Sequence, residues 1–292
     1  MSVLKTLGRL KRTVKKRLIF LFKNKEINFK DRLKLSYRLG LNNAIKAYIK
    51  DCLEVSEEGE QYFSIGHKQI FFRHSYEVKN EEKFINGITM VIHEMLFFPD
   101  FFHKKVKVHQ GDIVLDVGAF MGLSSIHLSK HVGPEGFVYA IEPVIPDTLQ
   151  KNLKANEVSN VKCLPFAVGE KKGDLEIEIS DFIADSSITK REYTQEYYTQ
   201  TKNVEVRTID SLVKELGLDR VDYVKMDIEG AEELALRGAE GVLKEFKPKL
   251  SISSYHIDFE NEPQHDKLVR LLKEYGYTLK EKRKSHIYAW WE

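Results

Sequence analysis

The segment Lys225-Met226-Asp227-Ile228-Glu229-Gly230 sets a lysine and two acids at the end of a short apolar run, Tyr223–Met226. If that run is a buried strand, its carboxyl end concentrates charge that could orient a substrate, move a proton or hold a divalent cation. His256 follows a second apolar run, Lys249–Ser254, and an imidazole there suits a general base for an acidic hydroxyl. A structural histidine bonded to the backbone is the equal alternative. Asp227 is the second candidate, as base or as substrate anchor. Glu232 and Glu233 read as acids favoured by the first turn of the following helix.

A third group is built on glycine. Asp116-Val117-Gly118-Ala119-Phe120-Met121-Gly122 ends an apolar run with a DxGxxxG pattern. Glycine there permits a positive φ and lets the backbone approach a ligand. The position two after Gly118 is Phe120, so the GxGxxG fingerprint that cradles a pyrophosphate is absent. S-adenosylmethionine carries an amino-acid end, a ribose and an adenine but no phosphate, and it suits such a turn. Asp116, Gly118, Ala119 and Gly122 are therefore candidate cofactor residues; Asp116 and Gly118 as mere turn-shapers remain the alternative. Glu142 lies 26 residues after Asp116 and ends Tyr139-Ala140-Ile141 in an acid that could accept both ribose hydroxyls. Phe166 and Ala167 are placed to flank an adenine, or else belong to an ordinary core strand entering a turn.

These residues need strands that end together. From Val106 onward, short apolar runs alternate with helical spacings: strands at Asp112–Val117, Phe137–Ile141, Val161–Val168, Tyr223–Met226 and Lys249–Ser254, and an accessory strand at Glu176–Ile179. Helices fall between them, the first ending near His131, the others at Asp147–Asn156, Asp210–Leu216, Glu232–Phe246 and His265–Tyr275. Repeated βα units imply a parallel sheet wound with helices on both faces, and ligands bind beyond the carboxyl ends of its strands. Tyr277–Lys282 and His286–Trp291 are separated by too few residues for a crossover, which predicts an antiparallel hairpin and a reversed strand at the sheet's edge.

Leu115-Asp116-Val117-Gly118-Ala119, Ala140-Ile141-Glu142-Pro143, Phe166-Ala167-Val168-Gly169 and Lys225-Met226-Asp227-Ile228-Glu229-Gly230-Ala231-Glu232 together resemble the FkbM-type family of S-adenosylmethionine-dependent methyltransferases. Leu234, Gly238-Ala239, Lys247-Pro248-Lys249-Leu250 and Tyr255-His256 are similar too, so the likeness runs from about Gly111 to Leu279. It implies a doubly wound α/β class I fold with a mainly parallel seven-stranded sheet and an antiparallel terminal strand. It also implies S-adenosylmethionine as cofactor and O-methylation of a hydroxyl on a small molecule or glycan. One departure is Ser253-Ser254-Tyr255-His256, where many members end the fifth strand in Glu. A nicotinamide-dependent oxidoreductase and a non-catalytic membrane-associated binding protein are the competing readings. The first lacks its glycine fingerprint, and the second leaves Gly118 and Glu142 without a purpose. No metal ligands are assigned, with Asp227, Glu229 and His256 as the lesser, metal-binding alternative.

The other 105 residues read differently. Residues 1–25 carry nine Lys/Arg and no acid, with Val3, Leu7, Leu10, Val14, Leu18 and Leu21 at helical spacing. This basic amphipathic helix either lies on an anionic membrane surface or packs on protein with its charges solvated. Its apolar run, Leu18–Phe22, is too short to span a bilayer and shorter than a secretory h-region. Residues 26–105 read as a helical and β-hairpin cap, with helices near Phe29–Leu53 and Glu81–Phe98 around a turn at Gly66-His67. The domain that binds the cofactor is 106–292. Beyond residue 25 the chain holds 37 basic against 44 acidic residues, which argues against a broad nucleic-acid groove. Cys52 and Cys163 form no metal or disulfide spacing and fit half-buried thiols in a reducing compartment, so the expected location is cytoplasmic, with or without a membrane contact through residues 1–25.

Overall fold

The computed structural model describes residues 53–55, 61–65, 68–71, 103–180, 198–258, 260–282 and 284–292. The chain divides into two compact units, Met1–Phe97 and Phe98–Glu292. In the first, β1 (Leu53–Val55), β2 (Gln61–Ile65) and β3 (Lys68–Phe71) form an antiparallel meander, with Ile65 paired to Lys68 across the predicted turn. Leu53 thus begins a strand rather than ending a helix. The basic helix of residues 1–25, the rest of the 29–53 helix and the 81–98 helix lie outside the described residues.

The second unit is a seven-stranded sheet in the order β12-β13-β11-β10-β4-β5-β6. Its strands are β4 (Ile113–Val117), β5 (Phe137–Ile141), β6 (Val161–Leu164), β10 (Tyr223–Met226), β11 (Lys249–Ser253), β12 (Thr278–Lys282) and β13 (His286–Trp290). All neighbours pair in parallel except those of β13, which runs against both β11 and β12. The reversed strand is not at the edge, as the hairpin alone suggests. It inserts between β11 and β12, because Ile287 and Ala289 supply an apolar surface buried against both neighbours, whereas β12 is half polar and suits an edge. This is a doubly wound, mainly parallel seven-stranded sheet with an antiparallel terminal strand, as the resemblance implies.

The period-two alternation of the strands divides the core between the sheet's faces. Val114, Val138, Tyr223 and Tyr288 pack on one side with Leu128 and Val132 of α1 (Leu123–Val132). Leu115, Val117, Ile141, Met226, Leu250 and Ile252 belong to the larger cluster. That cluster is covered by α3 (Ile209–Glu215), α4 (Glu232–Arg237), α5 (Glu240–Glu245) and α6 (His265–Glu274). α2 (Pro146–Ala155) opens on a proline at its first helical position.

Three further expectations for this unit are revised. The expected strand Val161–Val168 breaks at Pro165: β6 stays in the main sheet, while β7 (Ala167–Val168) pairs with β9 (Tyr198–Arg207) in a separate sheet ordered β7-β9-β8. The accessory strand is longer than read, as β8 (Gly173–Ser180), and its partner β9 has no clear apolar alternation before Val204. The expected helix Glu232–Phe246 is two helices. Gly238 packs so closely on the Gly169 carbonyl that a Cβ would lie 2.0 Å from its oxygen, and the Asp210 carboxylate then caps α5 by accepting from the N–H groups of Gly241 and Val242. Cys163 is a half-buried free thiol, pushed up to about 11 by burial, and Cys52 lies outside the described residues. No described helix is long and apolar enough to cross a membrane.

Candidate active site

Because β4, β5, β10 and β11 run parallel, the segments after them converge on one edge of the sheet. The turn after β4 is tied down from several directions. The N–H groups of Gly118 and Ala119 both donate to the Ile141 carbonyl, Lys225 Nζ donates to the Gly118 carbonyl at 2.7 Å, and Asn152 Nδ2 donates to the Met121 carbonyl at 2.8 Å. Gly118 has φ +79, and a Cβ there would sit 1.8 Å from the Asp227 carbonyl oxygen. The glycine turn and the Asp227 turn therefore touch backbone to backbone. Only glycine fits that contact. Phe120 and Glu229 both adopt positive φ, at 52° and 53°, so each turn holds a non-glycine residue in a sparsely populated conformation of the kind found at ligand sites.

Asp116 does not reach into the site. It is wholly buried, its Oδ2 accepts from Ser124 and Ser125 Oγ at 2.6 Å each, and its Oδ1 lies 3.2 Å from Lys225 Nζ. Its role is to hold the turn and the start of α1. Ala119 is 2% exposed and Gly122 caps α1 with φ 87, so both shape the same turn. Glu142 is not the unpaired strand-end acid that the sequence suggests. Its Oε2 accepts from the Phe120 N–H at 2.9 Å, and its Oε1 from the N–H groups of Val144 and Ile145 at 2.7 and 3.0 Å. Burial raises its carboxyl above the usual range, against the pull of those three N–H groups and of Lys225. Oε2 takes one hydrogen bond from the described protein, which leaves it lone-pair capacity for a ligand hydroxyl. Phe166 is 3% exposed within the core cluster, with the Arg207 guanidinium 4.5 Å above its ring, and Ala167 begins β7. Phe166 is core and offers no open face to an adenine.

The densest chemistry lies between β10 and β11. His256 is 3% exposed. Its Nδ1 bonds Glu232 Oε1 at 2.7 Å, while its Nε2 faces Asp227 Oδ1 at 3.5 Å and Glu229 Oε2 at 3.4 Å. Those two distances place charges together without hydrogen-bond geometry, and among the described residues Nε2 and Asp227 Oδ1 are buried without a hydrogen-bond partner. Burial alone would push the imidazole down. The charges of Glu232, Asp227 and Glu229, with the Glu232 hydrogen bond, outweigh it and push the imidazole up to about 9. His256, the residue expected as the base, therefore stands with its Nε2 facing Asp227 and Glu229.

Glu232 is the residue whose role the sequence hides. It is wholly buried, accepts from the N–H groups of Ile228 and Gly230 at 3.0 and 3.1 Å, and accepts from Gln264 Nε2 at 2.8 Å. Burial would raise its carboxyl, but His256 and these N–H donors hold it below the usual range. The available signal was an acid placed to reach back to the N–H groups of the preceding turn, as in a capping box. Lys202 of β9 was also missed; its Nζ donates to the Pro143 and Val144 carbonyls at 3.0 and 2.9 Å and pins the loop after Glu142. At the family's fifth-strand position, Ser254 Oγ bonds His265 Nδ1 at 2.8 Å, and His256 two residues later enters the site. His127 and His131 lie along α1, as their spacing suggests.

The methyltransferase FkbM domain matches residues 116–279, more than half of the chain. A relative, methyltransferase sdnD of Sordaria araneosa, is 24% identical over 172 residues, which are 49% of this chain and 66% of the relative. This chain therefore spans slightly less than two thirds of that relative. The methyltransferase FkbM of Methylobacillus flagellatus KT is similar in structure at 22% identity and a TM-score of 0.46, covering 75% of this chain and 56% of that one. A S-adenosylmethionine-dependent methyltransferase from Aquifex aeolicus follows at 19% identity and a TM-score of 0.39, covering 65% and 90%.

Proposed function

We propose that this chain, which belongs to the methyltransferase FkbM domain family, uses S-adenosylmethionine to methylate a hydroxyl oxygen of a small molecule or glycan. The observation that carries the reading is the contact of the Gly118 turn with the Asp227 turn, which sets two carboxylates beside a cofactor-sized turn at the carboxyl ends of parallel strands. The residues present fit the cofactor. Glu142 Oε2 keeps acceptor capacity for a ribose hydroxyl, and the Gly118 turn presents backbone rather than side chain.

When bound, S-adenosylmethionine supplies a methyl group on a sulfonium, open to in-line displacement by the acceptor oxygen. The protein's part is to place that oxygen, exclude water and take its proton. The carboxylates of Asp227 and Glu229 accept the hydroxyl proton as the carbon–oxygen bond forms and the carbon–sulfur bond breaks. His256, fixed on Glu232, faces both acids with its Nε2. Tyr255 and Ile257 flank His256 at 57% and 38% exposure, and an exposed ring beside the acids suits the apolar face of a sugar or aglycone.

The test uses S-adenosylmethionine with a ¹³C-labelled methyl and a panel of sugars, hydroxy acids and phenols set against amines. Transfer to a hydroxyl gives a methoxy carbon signal. Label appearing only on nitrogen or carbon would refute the oxygen assignment.

A further inference from the structure

We propose that Asp227, Glu229 and His256 bind a divalent first-row cation, with Glu232 orienting the histidine. Their ligand atoms lie within 4.8 Å of one another, and His256 Nε2 stands 3.5 and 3.4 Å from the two carboxylate oxygens. Two ligands each about 2.1 Å from one ion lie about 3.0–3.5 Å apart at right-angled to tetrahedral geometry, so the two histidine–carboxylate separations match a shared ion.

A second observation is independent of the acids. The His256 side chain is buried to within a few per cent, and its Nε2 is aimed into the cluster with no hydrogen bond. Buried polar atoms are rarely left so. Its other nitrogen is held by Glu232 at 2.7 Å, the carboxylate–histidine pairing that orients a ring toward a metal. Glu232 cannot swing in as a ligand itself, being committed to Ile228, Gly230 and Gln264. One imidazole nitrogen with two carboxylates favours manganese, iron, cobalt or zinc over calcium or magnesium, which prefer oxygen alone.

The consequence for the acceptor rests on the methyltransferase reading; the site itself does not. Three protein ligands leave coordination positions for the acceptor. A hydroxyl with a second oxygen on the neighbouring carbon, as in a vicinal diol or a hydroxy acid, would chelate there. The ion would lower the pKa of a bound hydroxyl, and the carboxylate oxygen of Asp227 or Glu229 that does not hold the ion would take its proton.

The experiment titrates Mn²⁺ into the full chain after chelator treatment and reads the loss of the free-ion EPR signal. Wild type should bind about one ion per chain, and Asp227→Asn and His256→Gln should each weaken binding at least about tenfold with circular dichroism unchanged. Glu229→Gln, on the turn, replaces His256→Gln if that variant fails to fold. Failure of wild type to bind Mn²⁺, or equal affinity in the variants, overturns the site. Calorimetry with S-adenosylmethionine on the same chelated protein keeps the two readings apart. Cofactor binding without Mn²⁺ binding removes the cation alone, and Mn²⁺ binding without cofactor binding removes the methyltransferase reading while upholding the cation.

Discussion

Lys225 and Asp116 are partners across the parallel β10–β4 pair, with Nζ 3.2 Å from Oδ1 and both side chains buried. The same Nζ donates to the Gly118 carbonyl. The lysine in the most distinctive motif of the chain thus positions the glycine turn and does not face the acceptor. Lys225→Met should leave a buried carboxylate unpaired and lower the unfolding free energy by about 3–5 kcal/mol. Pairing it with Asp116→Asn should restore much of the loss. Urea denaturation decides, and a single variant as stable as wild type would show that the pair does not hold the turn.

Gly118→Ala tests the contact between the two turns. Its Cβ would overlap the Asp227 carbonyl, and φ +79 disfavours any side chain, so stability and cofactor binding should fall together. Thermal unfolding alongside calorimetry should show both losses. An alanine variant of wild-type stability that merely binds the cofactor less well would mean that the side chain meets the ligand rather than Asp227.

Glu142 has both structural and ligand-binding capacity, and two substitutions separate them. Glu142→Ala strips acceptors from three backbone N–H groups and should cost about 1–3 kcal/mol in stability as well as weakening S-adenosylmethionine binding. Glu142→Gln keeps one acceptor oxygen but sets its NH2 against a backbone N–H, so it should cost less stability than Glu142→Ala while still weakening the cofactor several-fold. Unchanged affinity in Glu142→Gln would remove the ribose role.

His256 supplies a pH test in metal-free protein. Its imidazole, raised from 6.5 to about 9, binds its proton more tightly in the folded chain than in the unfolded one. The stabilisation is therefore fully present below about pH 6.5 and is lost as pH rises through about 9, a loss of a few kcal/mol. Ring-nitrogen NMR should place the titration near 9, and Glu232→Gln should move it down. A midpoint at the ordinary value would show that the three acids do not hold its proton.

The sheet was legible because buried parallel strands are short apolar runs, and Tyr223–Met226 and Phe137–Ile141 fall where their composition places them. β9 was not, because its polar first half, from Tyr198 to Asn203, has no core face to mark it. In the site, residue type and position pointed to Asp227 and His256, which the fold does bring together. Sequence could not give the partners of His256, since the three acids around it come from another strand end. Nor could it tell Asp116 and Phe166, both consumed by the interior, from residues that meet a ligand.

In the proposed complex the cofactor's sulfur points at the Asp227–Glu229–His256 cluster from a ribose held at Glu142. A crystal structure of the complex with S-adenosylhomocysteine tests it most directly. The account predicts ribose hydroxyls within hydrogen-bond reach of Glu142 Oε2, the amino-acid end along the Gly118 turn, and the sulfur facing Asp227. A nucleoside bound away from Glu142, or a sulfur turned from Asp227, would contradict it.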